Sequence, residues 1–164
     1  MKNLSYRKIL VLTAAFMTLT FALFLSAGCA LSGDKQDKED YIAKINVIID
    51  RQVAMDSKMT DMINTSTNAQ IATQAASDAK SYDEMGNELK AIKTPEQFKA
   101  GNDLFISSFK KFSTACNSFS AAYKSSDTMT EDMKTKLLAA VKEYDAAVTE
   151  ANQATSMINT AKNS

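Results

Sequence analysis

The sequence predicts an all-α protein, an antiparallel up-down four-helix bundle. Apolar residues recur at steps of three and four over long stretches, which is the spacing of one helix face. The 164 residues contain four Gly and one Pro, too few for the many turns of a β-sandwich or barrel. Similar segment lengths and short connections favour antiparallel neighbours. We expect helices at about 37–64, 68–92, 95–124 and 129–161.

The first predicted helix ends in a row of hydroxyl and amide residues. Its apolar face steps through Ile45, Ile48, Gln52, Met55, Met59 and Met62. Residues 64–68 read Asn-Thr-Ser-Thr-Asn, and such side chains compete with a helix for backbone hydrogen bonds. Thr67, with Gln70 three residues later, has the spacing of a capping box. Because the apolar face continues in phase, one long helix over about 40–92 in a three-helix bundle is the alternative fold.

The second predicted helix is rich in Ala and the third is rich in Phe. Lys90 and Lys93 favour a helix end near residue 92, and Thr94 followed by Pro95 is typical of a helix start. The apolar face of the third helix, here called the Phe seam, runs through Phe98, Asn102, Phe105, Phe109, Phe112, Cys116, Phe119 and Tyr123. Large side chains on one helix pack well against small ones on its neighbours. We therefore expect the Phe seam to face Ala-rich helices, with Asn102 fixing their register.

The fourth predicted helix again places small residues at helical spacing. Thr128 precedes Glu131 by three residues, which is the spacing of a helix cap. The apolar face then runs through Met133, Leu137, Ala140, Tyr144, Ala147, Ala151, Ala154 and Ile158. This face completes a core large enough for one domain.

Residues 1–28 have the three-part plan of a secretory signal. Three positive charges precede an uncharged apolar run over 9–25, and small residues follow up to Gly28. The stretch Leu25-Ser26-Ala27-Gly28-Cys29 resembles the lipobox of bacterial lipoproteins. This resemblance implies cleavage between Gly28 and Cys29 and a diacylglycerol, with fatty acids such as palmitate, on the Cys29 thiol. An uncleaved membrane helix is the alternative, since the apolar run approaches the length that spans a bilayer.

The expected organisation follows from this resemblance. It comprises a cleaved signal peptide over 1–28, the lipidated Cys29 with a polar tether as far as residue 40, and a helical bundle domain over 41–164. The mature chain would be extracytoplasmic and anchored by lipid to the bacterial cell membrane. In a cell with an outer membrane, Ala30 replaces the Asp that retains lipoproteins at the inner membrane, so the outer membrane is expected.

The composition argues against several kinds of chemistry. The chain has no His, which excludes Ser-His-Asp and Cys-His nucleophilic sites and imidazole metal ligands. Residues 29–164 carry 16 basic and 19 acidic side chains, a poor balance for binding nucleic acid. Cys116 lies in mid-helix among Phe and is expected to be a small buried hydrophobe. No Asp or Glu falls on the apolar faces named above, so we expect no enzymatic activity, no metal and no cofactor.

Two functions remain open at this point. The first is a membrane-tethered, non-enzymatic interaction or structural module at the cell envelope, with a protein or glycan partner that the sequence does not identify. The second is an extracytoplasmic small-molecule carrier or sensor with a cavity beside the Phe seam. The residues that form either that pocket or a packed core are Phe98, Phe105, Phe109, Phe112, Cys116, Phe119 and Tyr123.

Overall fold

The computed structural model describes residues 33–124 and 128–163, which form four α-helices and one 3₁₀ turn. The helices are α1 (Gly33–Thr65), α2 (Asn68–Ala91), α3 (Lys99–Lys124) and α4 (Glu131–Lys162). They pack against one another as an all-α four-helix bundle, which confirms the predicted fold class. The expected signal peptide over 1–28, with Gly28 at its end, and the expected lipidation site Cys29 lie outside the described residues.

Polar contacts between neighbouring helices establish the up-down order. The start of α1 meets the end of α2, where Lys93 Nζ lies 2.7 Å from Asp37 Oδ2. Further along α1, Arg51 Nη1 lies 2.7 Å from Glu88 Oε2, so the two helices are antiparallel. The corresponding pairs between α3 and α4 are Ser107 with Glu150 and Ser118 with Glu143.

The break between α1 and α2 lies where the sequence predicts it. The Thr67 hydroxyl accepts a hydrogen bond from the Gln70 backbone N–H at 3.3 Å. In return, Gln70 Oε1 accepts from the Thr67 backbone N–H at 2.9 Å. These reciprocal bonds satisfy two backbone donors that a helix start leaves unpaired. The capping box is confirmed, and the alternative with one long first helix over 40–92 is wrong.

The first helix begins earlier than expected. Residues 33–40, expected to be part of a polar tether, form the first turns of α1, so the helical bundle starts before residue 41. Gln36 Nε2 donates to Asp40 Oδ1 at 3.1 Å, one helical turn away. Such i,i+4 contacts, together with the Asp37–Lys93 ion pair to the end of α2, stabilise a polar helix start.

The start of α3 also differs from the prediction. The Thr94 hydroxyl does not cap a helix but donates to the Ile92 carbonyl at 3.1 Å. A 3₁₀ turn over Glu96–Phe98 then leads into α3. This turn buries Phe98 completely and stacks its ring on Tyr41, with 5.0 Å between the ring centroids. Tertiary packing of Phe98, rather than local capping, therefore decides where α3 begins.

The cap of α4 lies two residues after the predicted one. Thr130, not Thr128, is the N-cap, and its hydroxyl accepts from the Met133 backbone N–H at 3.1 Å. Glu131 and Asp132 then occupy the first turn, where negative charge interacts favourably with the helix dipole.

The predicted match of large and small side chains is present. The backbone of α3 lies close to those of α2 and α4, and both of these helices turn buried Ala residues inward. At Gly101, α3 lies directly against α4. A Cβ at this position would lie 2.7 Å from Ile158 Cγ1 and 3.2 Å from the Ala154 carbonyl oxygen. A side chain there would therefore push α3 and α4 apart.

The interior has two parts that meet at Phe119. The aromatic core combines buried residues of Tyr41–Ile49, Ala79–Leu89, Phe98–Cys116 and Tyr144–Ile158. The distal core, at the end with the α1–α2 turn, comprises Ile63, Ile71, Ala72, Ala122, Tyr123, Met133 and Leu137. Phe119 is partly buried and packs against both parts.

Candidate functional site

The first four Phe of the seam are packed core residues. Phe98, Phe105, Phe109 and Phe112 each expose at most 1% of their surface. The Phe112 ring stacks on Tyr82 with a centroid distance of 4.9 Å. On its other side the ring meets Tyr144 at 4.7 Å in an edge-on arrangement. Rings of α2, α3 and α4 therefore fill the centre of the bundle.

The remaining seam residues lie in different surroundings. Cys116 is buried at the end of the aromatic core, and burial raises the pKa of its thiol, with the carboxyls of Asp78 and Asp56 acting in the same direction. The thiolate is the reactive form of cysteine, so burial and a raised pKa both disfavour reaction at this thiol. Phe119 lies at the border between the two core parts, and Tyr123 belongs to the distal core.

A carboxyl group occupies the middle of the bundle, where the sequence predicts apolar contacts. Asp56 of α1 accepts a hydrogen bond on Oδ1 from the Tyr82 hydroxyl of α2 at 2.6 Å. The same oxygen accepts a short hydrogen bond from the Tyr144 hydroxyl of α4. The Gln52 side chain lies one turn earlier on α1, near enough to this carboxyl to lower its pKa. We call these four residues the Asp56 cluster.

Burial dominates the electrostatics of the Asp56 cluster. It raises the pKa of Asp56 to about 6, although hydrogen bonds from Tyr144, Tyr82 and Gln52 act in the opposite direction. The Asp56 residue as a whole is only half-buried, but its carboxyl end lies among protein atoms. Burial and the nearby Asp56 charge raise the pKa values of Tyr82 and Tyr144 well above the usual tyrosine value. Both tyrosines are therefore neutral donors at physiological pH.

Asp78 extends the buried polar layer beyond the Asp56 cluster, and Gln52 of the cluster has an unsatisfied acceptor. Asp78 of α2 is 4% exposed and accepts from Gln74 Nε2 at 2.7 Å. Burial raises the pKa of Asp78, while Gln74 and the Lys58 charge oppose the rise. Gln52 is 1% exposed, and its Oε1 is buried without a hydrogen-bond partner within the described part of the chain. A buried acceptor of this kind is costly unless a donor reaches it.

Neither Asp56 nor Asp78 lies on an apolar face predicted from the sequence. The expectation that acidic side chains stay outside the apolar faces is wrong for Asp56 and Asp78. Asp56 follows Met55, which the stepwise pattern placed on the inner face, and in the structure Met55 is only half-buried. The available signal was Gln52, because a residue four positions after a buried polar side chain shares its side of the helix.

The register function expected of Asn102 has a structural basis. Asn102 is 5% exposed, and its Oδ1 accepts from the Tyr41 hydroxyl of α1 at 3.1 Å. This bond links the start of α1 to the start of α3. A shift of either helix along its axis would break the bond, so it favours one alignment of the two helices.

Comparison of the chain with models of known protein families, with curated proteins and with solved structures gives no match. Across residues 33–124 and 128–163, no group of three or more Cys, Asp or Glu side chains is arranged to hold a metal ion. None of the helices in these ranges combines the length and hydropathy that a membrane-spanning helix needs.

Proposed function

We propose that this chain is a lipid-anchored, extracytoplasmic lipoprotein whose helical bundle serves as a non-enzymatic interaction or structural module at the cell envelope. The observation that carries this proposal is how the interior polar groups are used. Asp56 accepts hydrogen bonds from two tyrosines of other helices, Asn102 accepts one from a third tyrosine, and the Cys116 thiol is buried. The hydrogen bonds of Asp56 and Asn102 join helices of the bundle. The polar atoms that make these bonds are therefore occupied within the protein and do not face a substrate.

The N-terminal sequence supports a lipid anchor at Cys29, followed by cleavage after Gly28. The first helix begins at Gly33, and four residues of chain span at most about 14 Å. A lipid on Cys29 would therefore hold the start of α1 next to the membrane. The ends of α2 and α4 and the start of α3 share that side of the bundle, and the distal core would point away from the membrane.

The outer faces of the helices then provide the surface for a partner. Exposed side chains include Val47, Val53, Leu138 and Met157, which are spread over α1 and α4. Single exposed hydrophobic residues of this kind are ordinary on protein surfaces. These exposed residues do not distinguish a protein partner from a glycan partner, and crosslinking on living cells decides between the two.

A carrier or sensor with a cavity beside the Phe seam is less well supported. The rings of Tyr82, Phe112 and Tyr144 contact one another at the centre of the bundle and occupy the space that an apolar ligand would need. A shallow depression of about 560 Å³ is lined by polar side chains of α4 between Asn152 and Asn163. None of the seam residues lines that depression.

Lipid attachment is tested by labelling growing cells with an alkyne fatty acid. We expect the wild-type protein to be labelled and recovered with membranes, and Cys29→Ala to be unlabelled. Cys116→Ala is the matched control, because it removes the other thiol of the chain and should be labelled like the wild type. Labelling of Cys29→Ala at the wild-type level would refute the anchor.

The module function is tested by crosslinking on living cells. We expect the anchored wild type to capture a defined protein or glycan, and Cys29→Ala to lose that product because it is no longer held at the envelope. Retention of a small apolar molecule by the purified protein, with displacement by Phe109→Trp, would instead favour the carrier function.

A further inference from the structure

We propose that Asp56 acts as a pH-sensitive latch for α1. While the Asp56 carboxyl carries a proton, α1 is held firmly on α2 and α4. When that proton passes to water, the docking of α1 loosens. This inference goes beyond the proposed function and does not depend on the lipid anchor.

The groups around the carboxyl come from all four helices. Tyr82 and Asp78 belong to α2, Cys116 to α3 and Tyr144 to α4. Gln52 lies on α1 itself. Among the described groups that act on the Asp56 carboxyl, none is a cation. Lys58 acts on Asp78 instead. An ionised Asp56 therefore has hydrogen-bond donors but no counter-charge.

A buried carboxylate without a counter-charge destabilises the folded state. The nearby Asp78 carboxyl adds repulsion when it is ionised. The pKa of Asp56 is about 6 in the bundle, against an ordinary value near 4 in an unfolded chain. Below about pH 4 both states are protonated, and the stabilisation is fully present. It is lost as the pH rises from about 4 through 6, because the folded state then gives up its proton as well.

Gln52 offers the protonated carboxyl an acceptor. Its buried Oε1 has no donor in the arrangement described, and its side chain is near enough to Asp56 to act on the pKa of that carboxyl. Rotation of the Gln52 amide by about half a turn, which exchanges its oxygen and nitrogen, would let Oε1 accept the Asp56 O–H. The two states of Asp56 therefore correspond to two hydrogen-bonding arrangements of one residue pair.

The response should be confined to α1. The backbone of α3 lies close to α2 and α4, whereas α1 makes few close backbone contacts, and those are mainly with α2. Between Ile49 and Ile63, which are both buried, the inward side of α1 carries Gln52, Asp56 and the half-buried Met55 and Met59. With little apolar area buried along this stretch, the hydrogen bonds of Asp56 have a large share in holding it.

The test is hydrogen exchange of the full chain in detergent, followed by peptide mass spectrometry at pH 5 and pH 7.5. After correction for intrinsic exchange rates, we expect protection of α1 peptides to fall by about tenfold or more at the higher pH. Peptides of α3 should change much less. Asp56→Asn, which keeps the shape without the charge, should show the acid level of protection at both pH values. Asp61→Asn, at an exposed position of the same helix, is the control and should behave like the wild type.

A wild-type α1 whose protection does not change with pH would overturn the latch, and so would an Asp56→Asn protein that responds to pH as the wild type does. An equal fall in α1 and α3 would overturn its confinement to α1. Carbon-13 NMR of the wild-type carboxyls provides a readout that needs no variant. A midpoint for Asp56 near pH 6 supports the latch, and a midpoint near 4 refutes it.

Discussion

Two helices of this bundle are held in different ways. α3 lies between α2 and α4 through Phe rings packed against Ala, with the helix backbones close together. α1 lies on the same core through a row of Ile, the Tyr41–Asn102 bond and the Asp56 cluster. The first contact is mainly apolar, with the pairs Ser107–Glu150 and Ser118–Glu143 beside the packed rings, whereas the second alternates apolar and polar layers.

The difference shows what each kind of contact contributes. Close packing of large against small side chains supplies most of the stabilisation, because it buries apolar area and leaves few voids. Buried hydrogen bonds contribute less net free energy but demand one geometry. We infer that α2, α3 and α4 form the stable part of the bundle and that polar contacts decide how α1 is placed on it.

Truncation of a central ring should have the largest effect. Phe109 is completely buried, and Phe109→Ala should lower the free energy of unfolding by about 3–5 kcal/mol. Urea unfolding of the full chain in detergent, followed by circular dichroism, measures this loss. Phe119→Ala is the matched control, since its ring is only partly buried, and should cost clearly less. Equal losses would contradict the view that the centre of the aromatic core dominates.

A second prediction tests the close approach of α3 to α4. In Gly101→Ala the new Cβ would lie 2.7 Å from Ile158 Cγ1, and overpacking of this kind costs about 1–3 kcal/mol. Gly86→Ala is the control, because its Cβ would lie an ordinary 3.8 Å from Phe109 Cβ. This control should gain about 0.5–1 kcal/mol from the better helix propensity of Ala. Opposite shifts in the urea midpoint are expected, and a gain for both variants would mean that the helices are not in tight contact at Gly101.

The smallest effect is expected at the exposed side of α1. Arg51 and Glu88 form an ion pair between α1 and α2 in which Nη1 contacts both carboxylate oxygens, with 41% and 46% of their side chains exposed. Arg51→Gln should cost about 0.2–1 kcal/mol at low salt and almost nothing at about 1 M salt, where exposed charges are screened. Glu88→Gln should behave in the same way, and the double variant should lose no more than either single one. An additive double variant would show that the two charges do not act as a pair.

The parts of the fold that depend on local sequence were predictable. The Thr67 capping box is decided by residues within three positions of one another, and the Phe seam repeats at helical spacing through the whole of α3. Side-chain periodicity also predicted that Asn102 is a buried polar residue. It did not predict its hydrogen-bond partner Tyr41, which lies on another helix.

The parts that depend on contacts between distant residues were not predictable. Phe98 moves the start of α3 because its ring packs on Tyr41, far away in the sequence. Asp56 and Met55 are adjacent, and periodicity alone does not decide which of them turns inward. Only the hydroxyls of Tyr82 and Tyr144, supplied by other helices, make the inward position of Asp56 favourable.

Burial of Cys116 has a consequence for molecules crowded side by side on a surface. A disulfide between two copies requires each thiol to reach the other and to ionise. The Cys116 thiol is enclosed by the bundle, so it does not reach a second copy readily, and its raised pKa disfavours ionisation. Oxidising surroundings would therefore leave neighbouring bundles unlinked through this residue, and copies could be packed densely without becoming covalent dimers.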